Sequence, residues 1–329
     1  MSEIRDLCRN CLVGLLALGI GAFAIPGTPH TAPSLHNAQL SVAFSPQDGS
    51  YEIRASGLQS TVLKSSVGAE VDHQWLRSSA YPRHEEAQSR FHDGLGGGRQ
   101  DTITFSGFRS EPDLVCVLRL YDRLPYGTVE VKVVNHTSRV VSVEAIRDVD
   151  AVGSPRVNLG GLESANRVLL EGFTEDPTIK IGGLKEPPPG GTYFGVGSGL
   201  IYNRESKRSL LLAALTSRRF MTSLHLKVRQ PSTNAASIGS FTADSTGTTE
   251  AVLKRDDIAL EQRVELSLPV APAAELDSER VMFAAGADYH AQLQAYGAAV
   301  RRLHHARVSS APPMGWWSWT AFYLSLIHI

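Results

Sequence analysis

The chain has 329 residues, of which 42% are hydrophobic and 20% are charged, and its formal net charge is −1. This composition is typical of a soluble globular protein and leaves room for two domains of ordinary size. Because the charges nearly balance and no basic patch is visible along the chain, the sequence predicts no nucleic-acid partner, which would need cationic side chains to neutralise phosphates.

Residues 1–24 have the features of a secretory signal peptide. Arg5 and Arg9 flank an apolar run that ends at Ala24, and Ala22-Phe23-Ala24 matches the small-x-small pattern of a cleavage site. The apolar run of about 15 residues is shorter than the roughly 20 that cross a bilayer, so no stable membrane anchor is expected. The sequence therefore predicts a secreted or periplasmic protein.

Cysteine usage points to neither a metal site nor a redox site. Cys8 and Cys11 lie within the predicted signal peptide, and no second cysteine or histidine pair completes a metal site. Cys116 is then the one cysteine left, in the apolar run Leu114-Val-Cys-Val-Leu118, where we expect a small core residue. No cofactor-binding motif is present, and no cofactor or metal is predicted.

Residues 35–270 alternate between apolar and polar side chains with period two. Clear examples are Thr128–Val133, Ser223–Val228 and Ile258–Leu268, and turn sequences such as Pro46-Gln-Asp-Gly49 separate such runs. Alternation places apolar side chains on one face of a strand and polar ones on the other. A dozen or more such strands without helical periodicity between them predict a mainly β fold, a large antiparallel β-sandwich.

Residues 271–312 are predicted to form a linker that contains one amphipathic helix. Ala271-Pro-Ala-Ala274 has a linker-like composition, and Arg280–Ala285 could form a short strand. The apolar side chains that follow repeat at helical spacing after Asp288, a suitable N-cap, and they are Tyr289, Leu293, Tyr296, Val300 and Leu303. Val308-Ser-Ser-Ala-Pro-Pro313 then ends the helix.

Several polar or glycine-rich clusters resemble functional motifs without completing one. Asp148 and Asp150 lie two residues apart in a strand pattern and should share a face, but no third acidic ligand follows, so surface or turn carboxylates are the favoured interpretation. Gly94–Gly98 and Gly195–Gly199 lack the helix and lysine of a phosphate loop and are interpreted as a hairpin tip and a close-packed strand. Asn135-His-Thr137 matches an N-glycosylation sequon.

The aromatic segment Gly315-Trp-Trp-Ser-Trp319 contains three of the four tryptophans of the chain. In a strand, Trp317 and Trp319 would lie on one face and Trp316 on the other. Indole faces stack on the apolar face of a pyranose, so sugar binding is one interpretation and an aromatic core plug is the other.

The segment Ala311-Pro-Pro-Met-Gly-Trp-Trp-Ser-Trp-Thr-Ala-Phe-Tyr323 resembles the first barrel strand of the retaining α-galactosidases, or melibiases, whose core is Met-Gly-Trp-x-x-Trp with a proline upstream. Residues 288–307 resemble the helix that joins sandwich to barrel in the larger bacterial members. The resemblance implies an N-terminal β-supersandwich, a glycoside or oligosaccharide substrate, Trp319 as a sugar-contacting residue and Trp316 as the first tryptophan of the motif.

The same resemblance implies hydrolysis of terminal α-galactosides by two aspartates on later barrel strands, which no position of this sequence matches. Residues 313–329 are accordingly expected to be the start of a truncated (β/α)8 barrel, and the chain to be an inactive N-terminal fragment. A stand-alone carbohydrate-binding β-sandwich and a related α-glycosidase or galactosyl transferase are the alternatives. The sequence leaves open the sugar, the linkage and the oligomeric state.

Overall fold

The computed structural model of the protein describes residues 34–57, 60–153, 156–170, 180–229, 236–247 and 267–307. The predicted signal peptide (1–24) and the predicted barrel start (313–329), with Trp316 and Trp319, lie outside these residues. Within the described ranges, no helix is long and apolar enough to cross a membrane.

The described residues contain twenty strands, one α-helix and three short 3-10 turns. The strands are β1 (Ser34–His36), β2 (Leu40–Ser45), β3 (Ser50–Ala55), β4 (Leu63–Val71), β5 (Gln74–Arg77), β6 (Arg83–His92), β7 (Gly97–Ser106), β8 (Asp113–Tyr121), β9 (Gly127–Val134), β10 (Val141–Val152), β11 (Asn166–Leu170), β12 (Lys180–Gly183), β13 (Thr192–Val196), β14 (Ser198–Asn203), β15 (Ser209–Ala214), β16 (Met221–Arg229), β17 (Ser237–Thr246), β18 (Leu268–Val270), β19 (Glu275–Asp277) and β20 (Val281–Gly286). The helix is α1 (Tyr289–Leu303), and the 3-10 turns are Ser78–Ala80, Glu163–Ala165 and Pro189–Gly191.

The strands form two antiparallel sheets of ten strands each. Sheet 1 has the order β1-β2-β3-β4-β10-β17-β16-β13, with β5 paired to β4 and β18 paired to β10. Sheet 2 has the order β12-β11-β14-β15-β20-β9-β8-β7-β6, with β19 paired to β9. The predicted large antiparallel β-sandwich is therefore confirmed.

The hydrophobic core lies between the two sheets and follows from the alternation in the sequence. On β7, Ile103 and Phe105 are buried, whereas Thr102 and Thr104, which alternate with them, are partly exposed. Val129, Val131 and Val133 of β9 are completely buried in the same core. Each buried side chain of this size stabilises the fold by about 1.5–3 kcal/mol relative to an exposed one.

The sandwich continues past residue 270, where the sequence analysis placed the domain boundary. Ala271–Ala274 is a turn between two strands, in which the Ala273 N–H donates to the carbonyl oxygen of Asn135. The following strands β19 and β20 both pair with β9. Alanine and proline are as compatible with a tight turn as with a linker, so composition did not separate the two.

Helix α1 is amphipathic, as predicted, and it covers part of the outer face of sheet 2. Its Asp288 side chain accepts a hydrogen bond from the Ala291 N–H at 3.0 Å, which confirms the predicted N-cap. The predicted apolar stripe packs against sheet residues that include Tyr121, Leu211 and Met282. The described residues show the helix itself, and its predicted role as a connector to a second domain stays a prediction.

Candidate functional site

The two predicted sugar-contacting residues, Trp316 and Trp319, lie outside the described residues, so their placement is untested. The described surface that precedes them in sequence is the C-terminal end of α1. The tip of the β6–β7 hairpin, residues 93–96, lies beside this helix end, and a side-chain carbon added at Gly94 would lie 3.4 Å from Leu303. The tip and the helix end together form one continuous candidate surface.

Asp93 holds the hairpin tip in place. Its Oδ1 accepts hydrogen bonds from the backbone N–H groups of Leu95 (2.9 Å) and Gly96 (3.2 Å). Its Oδ2 accepts from the Tyr121 hydroxyl and from Nη1 of Arg280, each at 2.9 Å. With both oxygens occupied, this carboxylate positions the tip and is not available for reaction.

The Asp93 anchor continues into a row of charges across the outer face of sheet 2. Arg280 also lies near Glu130, with Nε 3.8 Å from Oε2, and Glu130 in turn pairs with Nη1 of Arg119 at 2.7 Å. These contacts link Arg280, which precedes β20, Glu130 of β9 and Arg119 of β8 to the hairpin tip. Such a row of alternating charges fixes side-chain directions, which is what a preformed binding surface requires.

Two cavities flank the hairpin tip. The helix-end cavity has a volume of about 1000 Å3 and is lined by Gly94, Gly297, Ala298, Arg301, Arg302, Leu303, His305 and Ala306. The hairpin cleft has a volume of about 450 Å3 and is lined by His92, Leu95, Gly96, Gly97, Asp122, Arg123, Leu124 and Arg302. Arg302 lines both of them.

The hairpin cleft combines hydrogen-bonding and apolar groups in the way that small polar ligands require. Asp122 and His92 offer acceptors, Arg123 and Arg302 offer donors, and Leu124 supplies an apolar wall. Asp122 is held by Nη2 of Arg90 at 2.6 Å. Nearby, burial raises the pKa of Tyr126 to about 12, with a further contribution from Asp93, so this phenol stays protonated at neutral pH. The cleft can bind a polar ligand, but its residues supply no pair of reactive carboxyl groups.

A pair of carboxyl groups does occur on β6 and β7, at Glu86 and Asp101. Burial and, to a smaller extent, the neighbouring Glu86 together raise the pKa of Asp101 to about 7, against the opposing effect of Gln88, which faces Asp101 in the strand register. Burial likewise raises the pKa of Glu86. Asp101 is completely buried on the core side of β7, where no substrate can reach it. Because one of its two carboxyl groups is out of reach, this pair is not a glycosidase dyad.

Asp148 and Asp150 are not surface carboxylates that share a face, so that interpretation is wrong. Asp148 is fully buried and Asp150 is 6% exposed. The pairing of β10 with β17 shifts its register between Arg147 and Val149, which makes Asp148 the extra residue of a β-bulge. The bulge turns Asp148 toward Ser278 of the opposite sheet, while Asp150 contacts Arg147 and Arg77.

Asp148 links the two sheets through hydroxyl groups. The Ser278 hydroxyl donates to its Oδ1 at 2.5 Å and the Ser245 hydroxyl to its Oδ2 at 3.2 Å. Burial raises the pKa of Asp148 well above its ordinary value, although the Ser278 hydrogen bond lowers it. Burial thus favours the neutral form of Asp148, whose two oxygens join the sheets through these hydroxyl groups. Cys116 is buried, as predicted, and burial raises the pKa of its thiol as well, which leaves it unreactive.

Arg147, next to the bulge, organises the outer face of sheet 1. Its guanidinium binds both carboxylate oxygens of Asp244, at 2.6 and 2.9 Å, and lies 4.0 Å from the centre of the Trp75 ring. It also donates to Asp150 at 3.3 Å. With all its groups engaged, this arrangement is interpreted as structural.

The sequence has no match among family models. No curated protein matches it either. Solved structures, in contrast, share its fold. An α-galactosidase from Lactobacillus brevis superimposes with a TM-score of 0.53 at 9% identity, over 82% of this chain and 41% of that one. The α-N-acetylgalactosaminidase NagBb from Bifidobacterium bifidum, in its Gal-NHAc-DNJ complex, gives 0.50 at 10% identity, over 84% of this chain and 39% of that one.

The fold is that of the N-terminal β-sandwich of the α-galactosidases. We use the term galactosidase-type sandwich for it from here on. At 9–10% identity the likeness establishes the fold alone, and the chain spans about two fifths of the length of these enzymes. The resemblance that the segment Ala311–Tyr323 predicted is thereby confirmed for the sandwich.

The smaller interpretations of the sequence can also be compared with the galactosidase-type sandwich. Residues 93–96 form the tip of a hairpin, as predicted. Gly195–Gly199 is not one strand, because β13 ends at Val196, Gly197 has a φ of +89° and β14 begins at Ser198 in the other sheet. The close packing predicted there is present at Gly199, where a side-chain carbon would lie 2.4 Å from Leu170. Asn135 of the sequon is fully buried, and its amide donates to the carbonyl oxygens of Arg139 and Val270 at 2.8 Å. A glycan on Asn135 is therefore incompatible with the folded sandwich.

Sequence reasoning missed Glu86 and Asp101, although a signal was present. In the alternating run that ends at Phe105, Asp101 has the same parity as Ile103 and Phe105, so the pattern already placed it on the buried face. No sequence pattern predicted the cavities at the hairpin tip, because the residues that line them are distant in sequence. Among the described residues, no group of three or more His, Cys, Asp or Glu side chains could hold a metal ion.

Proposed function

We propose that the chain forms the N-terminal, non-catalytic sandwich of a secreted or periplasmic α-galactosidase-like glycoside hydrolase, with an oligosaccharide or glycoside as substrate. The observation that carries the proposal is the fold: a galactosidase-type sandwich covers most of the chain, and the strand motif Met314-Gly-Trp-Trp-Ser-Trp319 follows it in sequence. Fold and motif are independent of each other, since one depends on strand pairing and the other on a dozen residues.

In this proposal the sandwich supports a catalytic barrel that begins at Pro313, and Trp319 contacts the sugar in its pocket. The two aspartates of the retaining reaction would lie on later barrel strands, and hydrolysis needs both of them at about 5 Å across the scissile bond. The described carboxyl pair, Glu86 and Asp101, cannot replace them because Asp101 is buried in the core. The 329-residue chain is therefore expected to hydrolyse no α-galactoside.

The first experiment measures release of 4-nitrophenol from its α-galactoside and its N-acetyl-α-galactosaminide by the purified 329-residue chain. We expect no turnover above that of a heat-denatured sample. Turnover of either substrate that follows native protein through a final size-exclusion step would overturn the assignment of a non-catalytic role. The second experiment reads the genomic DNA downstream of codon 329, where the proposal expects barrel strands that end in aspartate.

A carbohydrate-binding module without catalytic partner is the second candidate, and the hairpin cleft favours it. If the chain is a module that binds sugar through this cleft, calorimetry should detect binding of melibiose to the wild-type chain. Binding should be lost in Arg302→Gln, because this exchange removes a hydrogen-bond donor that lines both cavities. The exposed Arg229→Gln on sheet 1 is the matched control. Equal binding by both variants would reject the cleft as the sugar site.

A further inference from the structure

A third cavity, at the opposite edge of sheet 2 from β6, is lined by an excess of positive charge. It has a volume of about 420 Å3 and lies between the β14–β15 turn, the loop before β11 and the loop after β12. Its charged side chains are those of Arg167, Lys185, Arg204, Lys207 and a single carboxylate, Glu205. We call it the basic cavity, and at neutral pH these side chains carry a formal charge of +3.

Among the described residues, the cations of the basic cavity are not paired with carboxylates. In the described part of the chain, none of Arg167, Lys185, Arg204 and Lys207 takes part in an ion pair. Glu205 is already occupied, since its Oε2 accepts the Leu162 N–H at 2.9 Å. Four like charges around one small cavity repel one another, and an anion placed among them would relieve that repulsion.

The backbone around the basic cavity is fixed in advance of any ligand. Asn203 accepts the N–H groups of Glu205 and Ser206 at 3.0 Å and donates to the Leu162 carbonyl at 2.9 Å. The Arg204 N–H donates to the Ala165 carbonyl at 3.1 Å. These bonds tie the β14–β15 turn to the loop before β11, so the arginine and lysine side chains start from rigid positions.

The close approach of these two loops depends on a glycine. Gly161 has a φ of +70°, and a side-chain carbon added to it would lie 2.8 Å from Oδ1 of Asn203. On the other side, the Arg167 guanidinium lies close to Gly183, where an added carbon would be 2.6 Å from its Nη1. Glycine at both positions therefore lets the backbone and a guanidinium lie closer than any other residue would allow.

The chemistry of the lining identifies the kind of ligand. A guanidinium and flanking ammonium groups bind sulfate, phosphate and carboxylate oxygens. Leu162, whose exposed fraction is 65%, adds an apolar wall that a bare inorganic anion would not use but the C–H face of a sugar would. No aromatic side chain is among the described lining residues, which disfavours single-stranded nucleic acid, because its bases need stacking partners.

We propose that the basic cavity is a binding site for an anionic saccharide, in which a sulfate or carboxylate group lies among Arg167, Lys185, Arg204 and Lys207 and the sugar ring contacts Leu162. The choice of a saccharide as carrier of the anion rests on the proposed function, whereas the anion site itself rests on the geometry. The site lies on β11, β12 and β14, away from the hairpin tip, and would hold charged substrate chains without taking part in hydrolysis.

The test measures binding by calorimetry to the 329-residue chain, in low and in physiological salt. Three probes are compared: a monosulfated galactose disaccharide, the same disaccharide without sulfate, and sodium sulfate. We expect the sulfated disaccharide to bind at least tenfold more tightly than either of the others, and its binding to weaken as salt rises. No binding of the sulfated probe overturns the proposal, and sulfate that binds as tightly as the sulfated disaccharide overturns the saccharide as carrier.

The variant for this test is the double exchange Arg204→Gln and Lys207→Asn. Both side chains are exposed, and asparagine tolerates the left-handed backbone of Lys207, whose φ is +58°. We expect affinity for the sulfated disaccharide to fall at least tenfold while the thermal unfolding midpoint stays unchanged. The control, Lys227→Asn with Arg229→Gln, removes two exposed cations from sheet 1 and should leave binding as it is. An equal loss in both double variants would show an unspecific charge effect and refute the site. Because no probe is hydrolysed, this outcome is independent of the turnover assays.

Discussion

Replacing Asp101 with asparagine should make the stability of the sandwich much less dependent on pH. In the folded protein, burial and the neighbouring Glu86 raise the pKa of Asp101 from its ordinary 3.8 to about 7. Between these two values the folded chain keeps a proton that the unfolded chain releases. A raised pKa of this kind contributes stability that is fully present below pH 3.8 and is lost as the pH rises through 7.

The size of the effect follows from the shift. A difference of about 3 pH units corresponds to about 4 kcal/mol, at 1.36 kcal/mol for each unit. The neighbouring Glu86 is partly exposed, so solvent screening reduces its share of the effect, and about 2–4 kcal/mol is expected between pH 4 and pH 8. This is a large part of the 5–15 kcal/mol that stabilises a typical domain.

The assay is urea unfolding of the wild type and Asp101→Asn at pH 4, 5, 6, 7 and 8, followed by circular dichroism. The difference in unfolding free energy between the two proteins should change by about 2–4 kcal/mol over this range, in favour of the variant at pH 8. Glu85→Gln removes an exposed carboxylate from the neighbouring strand β6 and serves as the control. If the Asp101→Asn and wild-type curves run parallel from pH 4 to pH 8, the assignment of a raised pKa to the buried Asp101 is refuted.

Three further exchanges test the packing that the structure shows. Gly161→Ala should destabilise the sandwich by about 2–3 kcal/mol in urea unfolding, because the new residue would have a positive φ and would clash with Asn203. Gly57 has a similar φ of +76° but open space around it, so Gly57→Ala should destabilise the sandwich by only about 1 kcal/mol. Equal losses would show that the clash is absent. Arg147→Lys should lower stability by about 1–3 kcal/mol, measured by thermal unfolding, since an ammonium cannot bind both oxygens of Asp244 while stacking on Trp75; an unchanged midpoint would contradict this. Gly297→Ala should stabilise the protein by about 0.5–1 kcal/mol, because alanine favours the helix and the described residues leave open space at that position. A lower thermal unfolding midpoint in this variant would indicate a partner packed on the helix.

The fold class was predictable because period-two alternation is a local property. Thr128–Val133 and Ser223–Val228 show it in the sequence, and both lie in strands of the sandwich. The end of the sandwich was not predictable, because Ala271–Ala274 has the same composition in a turn as in a linker. Pairing partners that are distant in sequence decide that difference.

The candidate site was predictable only where one segment carries it. The motif around Trp316 and Trp319 is contiguous, so it can be read from the chain, and the placement of both residues stays a prediction. The bulge at Asp148 inverts the side-chain direction that strict alternation assigns, and no local signal marks it. The basic cavity joins three loops, and its charges are scattered along the sequence from Arg167 to Lys207.

The position of β20 in sheet 2 has a consequence for how the protein is made. This strand, the last of the described strands in the chain, lies between β15 and β9, and its Val281 pairs with Val129. Until residue 286 has left the ribosome, both of those neighbours keep an open hydrogen-bonding edge, and edges of this kind recruit other strands. Such long-range pairing also makes folding slow. The nascent chain therefore stays without a completed sheet 2 until β20 has been synthesised and has left the ribosome.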